Sequence, residues 1–295
     1  MHDVPTISVE VREPLTRRTF NSRLFRWHAH TRRPLLIRDA ATPWEVLVAE
    51  VMSQQTGVDR VGPAWRRFVD RWPTADDLAV ASTHDLLAAW AGLGYNRRAL
   101  SLRETARSIV ANHGGRVPKT VNALQRLPGI GPYTARAVAA AAYGVPVAPL
   151  DVNVRRVVSR VLGEAPTPIG FQATADGLVA RGQPGRWLDA VMDLASATCT
   201  PRAPRCDACP LASMCASRGA NVVARPRSPS VPFPTTTRWL RGRLVALLTE
   251  APAGAWVELP QSLGEHDTAA IATAALGLER DGIFELNERS ARIRA

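Results

Sequence analysis

Apolar residues recur at helical spacing along most of the chain, and alternating strand-like patterns are confined to its C-terminal end. The clearest helix begins at Thr42, a residue type that caps helices, followed by Pro43, which suits a first turn. The positions i, i+3, i+4, i+7 and i+8 of this helix form an apolar stripe: Trp44, Leu47, Val48, Val51 and Met52. Glu50 lies on the border of the stripe, where partial burial would favour the protonated carboxyl that a general acid needs. On position alone, a glutamate that simply reaches solvent is the commoner case.

Other segments of the first 200 residues also have helical length and periodicity. Residues 16–30 predict a basic amphipathic helix with Phe20, Leu24, Trp27 and Ala29 on its apolar face. Shorter helices are predicted between glycine and proline breakers at residues 63–71, 75–81, 83–90, 97–112 and 121–126. The body of the protein is therefore expected to be all-α.

A glycine turn separates two of these helical runs. Gly129 and Gly131 flank Ile130, and an alanine-rich helix follows at residues 134–142. The free N–H groups of such a turn can bind a phosphate, although an ordinary helix connection is the commoner case. Asp151 then precedes another apolar-periodic run, which predicts that it caps this helix with its carboxylate in one fixed geometry.

A second turn, Leu93-Gly94-Tyr95, is followed by Asn96, Arg97 and Arg98. An exposed tyrosine beside basic residues suits stacking on a nucleic acid or wedging into it. A tyrosine buried in the core is the competing interpretation of the same pattern.

The C-terminal part of the chain has a different character. Residues 221–237 are rich in proline and predict an extended linker. Residues 238–295 predict two helices and two short strands joined at Asn287-Glu288, which suggests a winged-helix-like α+β unit. This unit contains seven arginines and eight acidic residues, so its net charge is −1. Because the whole chain has a net charge of +11, residues 1–237 carry a net charge of +12. A surface for a polyanion is expected in those 237 residues, and the C-terminal unit is expected to bind a protein partner or to cap the fold.

The four cysteines all fall between Cys199 and Cys215 in a C-x6-C-x2-C-x5-C pattern. Such clustering in an intracellular chain indicates a metal site rather than disulfides. Both tetrahedral zinc and a [4Fe–4S] cluster fit the pattern, and spacing alone slightly favours zinc. Without an apolar run long enough for a membrane span or a signal segment at the N-terminus, a cytoplasmic location and no membrane contact are expected.

Five ordered motifs together resemble the helix-hairpin-helix DNA glycosylases, and specifically their MutY-like adenine-glycosylase branch. They lie between Pro43 and Cys215, and they are EVMSQQT at 50–56, GLGY at 92–95, LPGIGPYTA at 127–135, LDVNV at 150–154 and the cysteine pattern. The resemblance implies a helix-hairpin-helix glycosylase core at residues 14–220, with an iron–sulfur loop at 199–215. It also implies that Cys199, Cys206, Cys209 and Cys215 bind a [4Fe–4S] cluster, which replaces the preference for zinc.

The same resemblance assigns roles to individual residues. Glu50 would protonate the departing base and activate the attacking water, and Asp151 would stabilise the cationic sugar, oriented by Asn153. Tyr133 would line the base pocket. The residues that would contact DNA are Gln54, Gln55, Tyr95, Gly129, Gly131 and Thr134. The chemistry is consistent with these roles, because glycoside hydrolysis needs a proton donor and a fixed anion, and the target base must be flipped out of the duplex.

The implied function is a monofunctional base-excision repair enzyme that removes adenine opposite guanine or 8-oxoguanine. Its expected partner is double-stranded DNA with a mismatched or damaged base, bound by a monomer. Relatives with lyase activity place a lysine two residues after the second hairpin glycine, where this chain has Tyr133. The only lysine, Lys119, precedes the hairpin, so no Schiff-base chemistry is expected.

Two departures from the family pattern bear on the substrate. An LPWR-like segment usually precedes the glutamate helix, whereas this chain has Pro34-Leu35-Leu36-Ile37-Arg38-Asp39. The 58 residues from Arg238 to Ala295 are also too few for the Nudix-like domain that reads 8-oxoguanine in larger members. Val152 replaces a small residue of the LDxNV motif. The alternatives are a glycosylase that removes thymine, uracil or 5-substituted uracil opposite guanine, and a non-catalytic iron–sulfur protein that binds DNA.

Overall fold

The computed structural model describes residues 13–163, 168–219 and 231–295. These residues form thirteen α-helices and three short β-strands, so the predicted all-α body with a small α+β end is confirmed. The helices are α1 Arg17–Thr31, α2 Pro43–Ser53, α3 Val58–Arg71, α4 Ala75–Ala79, α5 Thr83–Ala89, α6 Arg97–His113, α7 Val121–Gln125, α8 Pro132–Tyr143, α9 Val152–Leu162, α10 Pro168–Leu178, α11 Pro184–Ala197, α12 Thr237–Glu250 and α13 Thr268–Arg280. The strands are β1 Val257–Glu258, β2 Phe284–Leu286 and β3 Ser290–Ile293. Within these described ranges, no helix has both the length and the apolar character to cross a bilayer.

The chain divides into two compact units that do not follow its linear order. The first comprises the described parts of Met1–Arg33 and Gly144–Pro226, and the second comprises Pro34–Tyr143 with the described part of Arg227–Ala295. Residues 220–230, which include most of the predicted linker, lie outside the described residues. The described end of that linker contains a 3₁₀ turn, Phe233–Thr235, and leads directly into α12.

In the second unit, the core of the helical part is built around tryptophan and phenylalanine rings. The Phe68 ring centroid lies 4.7 Å from that of Trp72 and 5.9 Å from that of Trp90. The indole N–H of Trp44 donates to the Trp72 carbonyl at 2.9 Å, which satisfies its polar atom inside the core. This packing fixes α2, which carries Glu50, against α3 and α8.

The first unit packs α1 against α11 around a buried carboxylate. Asp193 is 1% exposed and accepts from Arg33 Nε at 2.6 Å, and it pairs with His28 Nε2 at 3.1 Å. The predicted apolar face of α1 is correct for Phe20 and Leu24, but Ala29 is exposed. His28 occupies the buried position one turn after Leu24. Its bond to Asp193 offsets the free energy lost when a polar ring is removed from water.

The C-terminal segment of the second unit packs α12 and α13 with a three-stranded antiparallel sheet in the order β1-β3-β2. The predicted pair of strands is confirmed, with Phe284 opposite Ile293 and with Asn287 Oδ1 accepting from Ser290 N in the turn. Strand β1 was not predicted from the sequence, and its two residues pair with Ser290 and Ala291 of β3. The imidazole of His84 on α5 lies 2.9 Å from the carbonyl of Ala251, so this segment docks on α5.

Where helix bounds were predicted, they agree with the structure to within two residues, except at α3. No bounds were predicted for α10 and α11. This helix begins at Val58 rather than at residue 63, and Pro63 lies within it. Proline is favoured in the first turn of a helix, whereas here it lies one turn further in. Gly57, in an extended conformation, is the residue that precedes the helix, and the missing N–H of Pro63 costs one internal hydrogen bond.

Candidate functional site

The helix that carries Glu50 is formed as its sequence predicts. The Thr42 side chain accepts from Glu45 N and caps α2, and Pro43 occupies the first turn. The five stripe residues are all buried, and Glu50 itself is half-buried at the border. Rigid packing of the stripe therefore holds the carboxyl at the edge of the core, where it is neither fully solvated nor enclosed.

The turn after α2 carries the two glutamines predicted to contact DNA. Gln54 Nε2 donates to Thr134 Oγ1 at 3.1 Å, which joins this turn to α8. The Thr134 side chain is only 3% exposed, so it positions Gln54, and any contact of Thr134 with DNA would use its main chain. Gln55 has a positive φ of 54°, which is uncommon for a residue with a side chain and requires support from its neighbours.

Tyr95 also has a left-handed backbone, with φ of 49°, and its side chain is 40% exposed. The alternative of a tyrosine in the core is therefore wrong. The Thr56 hydroxyl donates to the carbonyl of Leu93 at 3.1 Å, so the turn of Gln55 and the turn of Tyr95 lie side by side. Two exposed side chains on adjoining turns, each on a residue with a left-handed backbone, form a surface suited to entering a duplex.

Arg98 ties these two turns together, a role that the sequence analysis did not anticipate. Its guanidinium is partly buried, and burial lowers the pKa of this side chain. It donates from Nη1 and Nη2 to acceptors at 2.5–3.1 Å on both turns: the carbonyls of Val51, Met52, Gln54, Leu93 and Gly94 and the hydroxyl of Thr56. A planar group with several fixed donors satisfies this set as a compact ammonium could not.

Replacing Arg98 by lysine is therefore expected to lower the free energy of unfolding by about 2 kcal/mol, since several buried carbonyls would lose their donor. Urea denaturation measures this change. Arg97→Lys is the matched control, because the neighbouring Arg97 side chain is 74% exposed and its replacement should change stability by less than about 0.5 kcal/mol. Equal stabilities of the two variants would contradict a bracing role for Arg98.

The glycine turn lies between α7 and α8 and forms a helix-hairpin-helix element. Ile130 is buried at 5% exposure and anchors the turn. Gly129 has φ of 73°, and a Cβ at this position would lie 2.9 Å from Ser101 Cβ, so only glycine fits. A Cβ at Gly131 would meet nothing within 4 Å, which leaves the start of α8 open to a ligand. Tyr133 follows in the first turn of α8 and is half-buried.

In the first unit, Asp151 caps α9 as predicted. Its Oδ1 accepts from the main-chain N–H groups of Asn153 at 2.9 Å and Val154 at 2.7 Å, and its Oδ2 accepts from Asn153 Nδ2 at 2.7 Å. Three donors thus fix the orientation of one half-buried carboxylate. Asn153 is the residue that the sequence predicted to orient Asp151, and the structure brings the two together.

Arg156 extends this arrangement toward the cysteine loop. Its Nη1 donates to Asn153 Oδ1 at 3.0 Å, and its Nε donates to the carbonyl of Cys199 at 2.8 Å. Burial is the main cause that lowers the pKa of Arg156. A continuous path of hydrogen bonds therefore runs from Asp151 through Asn153 and Arg156 to the first cysteine. Arg156 was missed by the sequence analysis, although its position three residues after Asn153 places both on one helix face.

The four cysteines are brought together around one cavity of about 240 Å³. Apolar residues such as Val157, Leu194 and Leu211 line the cavity, and all four thiols are half-buried. Burial raises the pKa of the Cys209 thiol to about 11 and also raises that of Cys215. Arg160 donates to Cys199 Sγ at 3.4 Å, and a positive group beside sulfur suits a site of thiolates. Four thiols around an apolar cavity thus fit an iron–sulfur cluster, which when bound would crosslink the loop through its thiolates.

The variant Cys209→Ser is expected to lose bound iron and sulfide, because a serine hydroxyl is a poor replacement for a thiolate ligand. Its melting temperature should fall by roughly 10 °C as the crosslink is lost. Iron and sulfide analysis, visible absorption and thermal unfolding measure these changes. Ser213→Ala in the same loop is the control and should keep its iron, whereas full iron content in Cys209→Ser would contradict the ligand assignment.

Comparisons with known proteins agree with this geometry. Residues 48–179 match the family model described as HhH-GPD superfamily base excision DNA repair protein. Residues 199–215 match the model described as the iron-sulfur binding domain of endonuclease III, which confirms the predicted [4Fe–4S] cofactor.

Two curated relatives align with this chain over most of their own length. The adenine DNA glycosylase of Mycolicibacterium smegmatis is 41% identical over 234 residues, which cover 77% of this chain and 80% of the relative. The adenine DNA glycosylase of Mycobacterium tuberculosis H37Rv is 39% identical over 277 residues, with coverages of 90% and 87%. The human adenine DNA glycosylase is also 39% identical, but the matched part is only 39% of its length.

Solved structures show the same fold. A thermostable thymine-DNA glycosylase aligns with a TM-score of 0.64 and 28% identity, covering 68% of this chain and 95% of that protein. A non-covalent endonuclease III–DNA complex aligns with a TM-score of 0.58 over 69% of this chain, but at 22% identity it supports the fold alone. With the curated relatives and the two matched family models, these findings confirm the resemblance: the chain belongs to the helix-hairpin-helix base-excision DNA glycosylases, in the branch of the adenine DNA glycosylases.

Proposed function

We propose that this protein is a monofunctional DNA glycosylase that removes adenine paired with guanine or 8-oxoguanine in double-stranded DNA. The observation that carries the proposal is the 39–41% identity to adenine DNA glycosylases over 77–90% of the chain. Both carboxylates that the reaction requires, Glu50 and Asp151, are present within this aligned family core.

The chemistry divides between the two carboxyl groups. Glu50, half-buried at the end of the packed stripe of α2, protonates the departing adenine and then activates water. Asp151, whose carboxylate is fixed by three N–H donors, stabilises the positive charge that develops on the sugar. Asn153 holds Asp151 through its amide, and Tyr133 lines the space for the base.

Binding the mismatch requires the base to leave the helical stack, at a cost of a few kcal/mol. Gln55 and Tyr95, the exposed residues with left-handed backbones, fill the space that the flipped nucleotide leaves. The glycine turn before α8, which is uncrowded at Gly131, holds a phosphate of the same strand through main-chain N–H groups. Gln54 stabilises this surface by its hydrogen bond to Thr134 of α8.

An excision assay with duplexes that carry adenine opposite 8-oxoguanine, guanine or cytosine tests the proposal. Purified protein that contains its cluster should release adenine opposite 8-oxoguanine and guanine but not opposite cytosine. Absence of adenine release from every duplex, in a preparation with full iron content, would contradict it.

A second candidate substrate is thymine or uracil opposite guanine. The likeness to a thymine-DNA glycosylase at 28% identity favours it, as does the segment before α2. Where many adenine glycosylases have an LPWR-like segment, this chain forms a 3₁₀ turn, Leu36–Asp39, that packs against α3. Including thymine, uracil and 5-hydroxymethyluracil opposite guanine in the same assay distinguishes the two substrates.

The absence of lyase activity follows from Tyr133 at the hairpin position where a lysine would form a Schiff base. Borohydride reduction during the reaction should therefore trap no covalent complex between protein and DNA. Heat or alkali should still cleave the product strand at the abasic site. A strong trapped adduct with wild-type protein would contradict the monofunctional assignment.

A further inference from the structure

The side chain of Tyr95 is held by a residue from the far end of the chain. Arg238, in the first turn of α12, donates from Nη1 to the Tyr95 hydroxyl at 2.8 Å. Its guanidinium carbon lies 5.4 Å from the centre of the Tyr95 ring, which is also within cation–π distance. One arginine thus fixes both the position of the hydroxyl and the tilt of the ring.

The same guanidinium contacts a second aromatic ring. Arg238 lies 4.9 Å from the centre of Phe233, which is 49% exposed and belongs to the 3₁₀ turn just before α12. The Thr236 side chain caps α12 between them, so the backbone that carries both residues is well defined. Tyr95, Arg238 and Phe233 form an exposed group that we term the aromatic clamp.

Further contacts anchor the C-terminal segment to the turn of Tyr95. Asp281, at the end of α13, pairs with Arg241 of α12 and lies 3.7 Å from Nη1 of Arg97. Arg97 begins α6 two residues after Tyr95. The segment therefore holds this turn at both the tyrosine side chain and the start of the following helix.

The left-handed backbone of Tyr95 requires support from neighbouring contacts. A non-glycine residue with φ of 49° is strained by about 1–2 kcal/mol, and it persists only where neighbouring contacts determine it. Arg98 braces the backbone of the turn through bonds to main-chain carbonyls, and its guanidinium, 5.5 Å from the centre of the Tyr95 ring, is also within cation–π distance. The contact that fixes the exposed hydroxyl comes from Arg238.

We propose that Arg238 is a positioning residue for mismatch recognition, and that the C-terminal segment serves to hold Tyr95 in the orientation in which it enters the duplex. This inference rests on the proposed role of Tyr95 as the wedge. It assigns a function to a C-terminal segment whose net charge is close to neutral.

A double-mutant cycle on the full-length protein with its cluster tests the proposal. The variants are Arg238→Met, which removes the charge and donor but keeps bulk, Tyr95→Phe, which removes only the hydroxyl, and the two combined. Arg238→Met should weaken binding to an adenine·8-oxoguanine duplex by about fivefold, as expected for the loss of one exposed charged hydrogen bond and a cation–π contact. Tyr95→Phe keeps the ring and loses only the hydrogen bond, so it should weaken binding by about threefold. The double variant should bind no more weakly than Arg238→Met, because the hydrogen bond that Tyr95→Phe removes is already lost in that variant.

Two further measurements separate positioning from simple attraction to phosphate. Binding to a fully matched duplex should be unchanged in Arg238→Met, and the fluorescence of 2-aminopurine at the target position should report less flipping. Arg243→Met, an exposed arginine five residues along α12, is the matched control and should leave flipping unchanged. Thermal unfolding checks that all variants remain folded.

The outcomes distinguish the wedge role of Tyr95 from the positioning role of Arg238. Additive effects of the two changes, or an equal loss of affinity for matched and mismatched duplexes, would overturn the proposal and indicate a phosphate contact. Tyr95→Ala, which removes the whole ring, is measured beside the cycle as a test of the wedge itself. If it leaves mismatch binding unchanged, the proposed wedge fails and the inference with it. If Tyr95→Ala weakens binding but Arg238→Met does not, the wedge stands and only the positioning role of Arg238 is refuted.

Discussion

Replacing Glu50 by glutamine is expected to lower the single-turnover rate of adenine excision by about 10³-fold, within the range that general acid–base groups contribute. Glutamine has nearly the shape of glutamate but can neither deliver a proton to the base nor activate water. The buried stripe holds α2 in place and glutamine keeps the size of this side chain, so affinity for the mismatch should stay within about threefold of wild type. Quenched-reaction kinetics and fluorescence anisotropy measure the two quantities on the same duplex.

Glu45→Gln supplies the matched control for the loss of one negative charge from α2. The Glu45 carboxylate accepts from Ala41 N at 2.6 Å, a bond that a glutamine oxygen can keep. Its excision rate should remain within about twofold of wild type. An unchanged rate in Glu50→Gln would refute the catalytic assignment, and a joint loss of binding and excision would indicate that Glu50 is needed for structure.

The variant Asp151→Asn is expected to reduce excision by about 10²–10³-fold, the range found when one stabilising group is removed from a developing charge. Asparagine caps helices about as well as aspartate, so the stability of α9 should hardly change. The capping role and the electrostatic role of Asp151 are thereby separated in one substitution. Excision kinetics and urea denaturation of the same preparation measure the two effects.

Asp151→Ala completes the comparison, because alanine removes both the charge and the cap. It should show the same loss of excision and an additional loss of about 1 kcal/mol in unfolding free energy. If Asp151→Asn is fully active and only Asp151→Ala is impaired, the carboxylate serves as a helix cap alone, and the proposed stabilisation of the sugar is wrong.

Much of the fold could be predicted because local rules decide it. Thr42 and Pro43 start α2, Asp151 caps α9, and Gly129 turns the hairpin, each through contacts within a few residues. The errors occur where distant contacts decide. His28 is buried through Asp193, 165 residues away, and β1 exists because it pairs with β3. Neither partner leaves a signal in the local sequence.

The motif residues of the candidate site were proposed from the sequence, but the residues that hold them in place were not. The sequence motifs indicated Glu50, Tyr95 and Asp151, because the resemblance rests on those short segments. Hydrophobic periodicity does not indicate the roles of Arg98 and Arg238, because an arginine beside a turn is normally interpreted as a solvated charge or a phosphate contact. Only the three-dimensional positions of their acceptors show what these side chains hold.

The role of arginine inside the fold also changes the expected response of DNA binding to salt. Arg98, Arg156 and Arg160 each direct their N–H groups to main-chain carbonyls of the protein. Such groups release few counterions when DNA binds, because they are already engaged. The slope of log affinity against log salt counts phosphates that are actually neutralised, at about 0.9 per contact. It should therefore be shallower than the net charge of +11 suggests, and the protein should tolerate changes in ionic strength better than its composition implies.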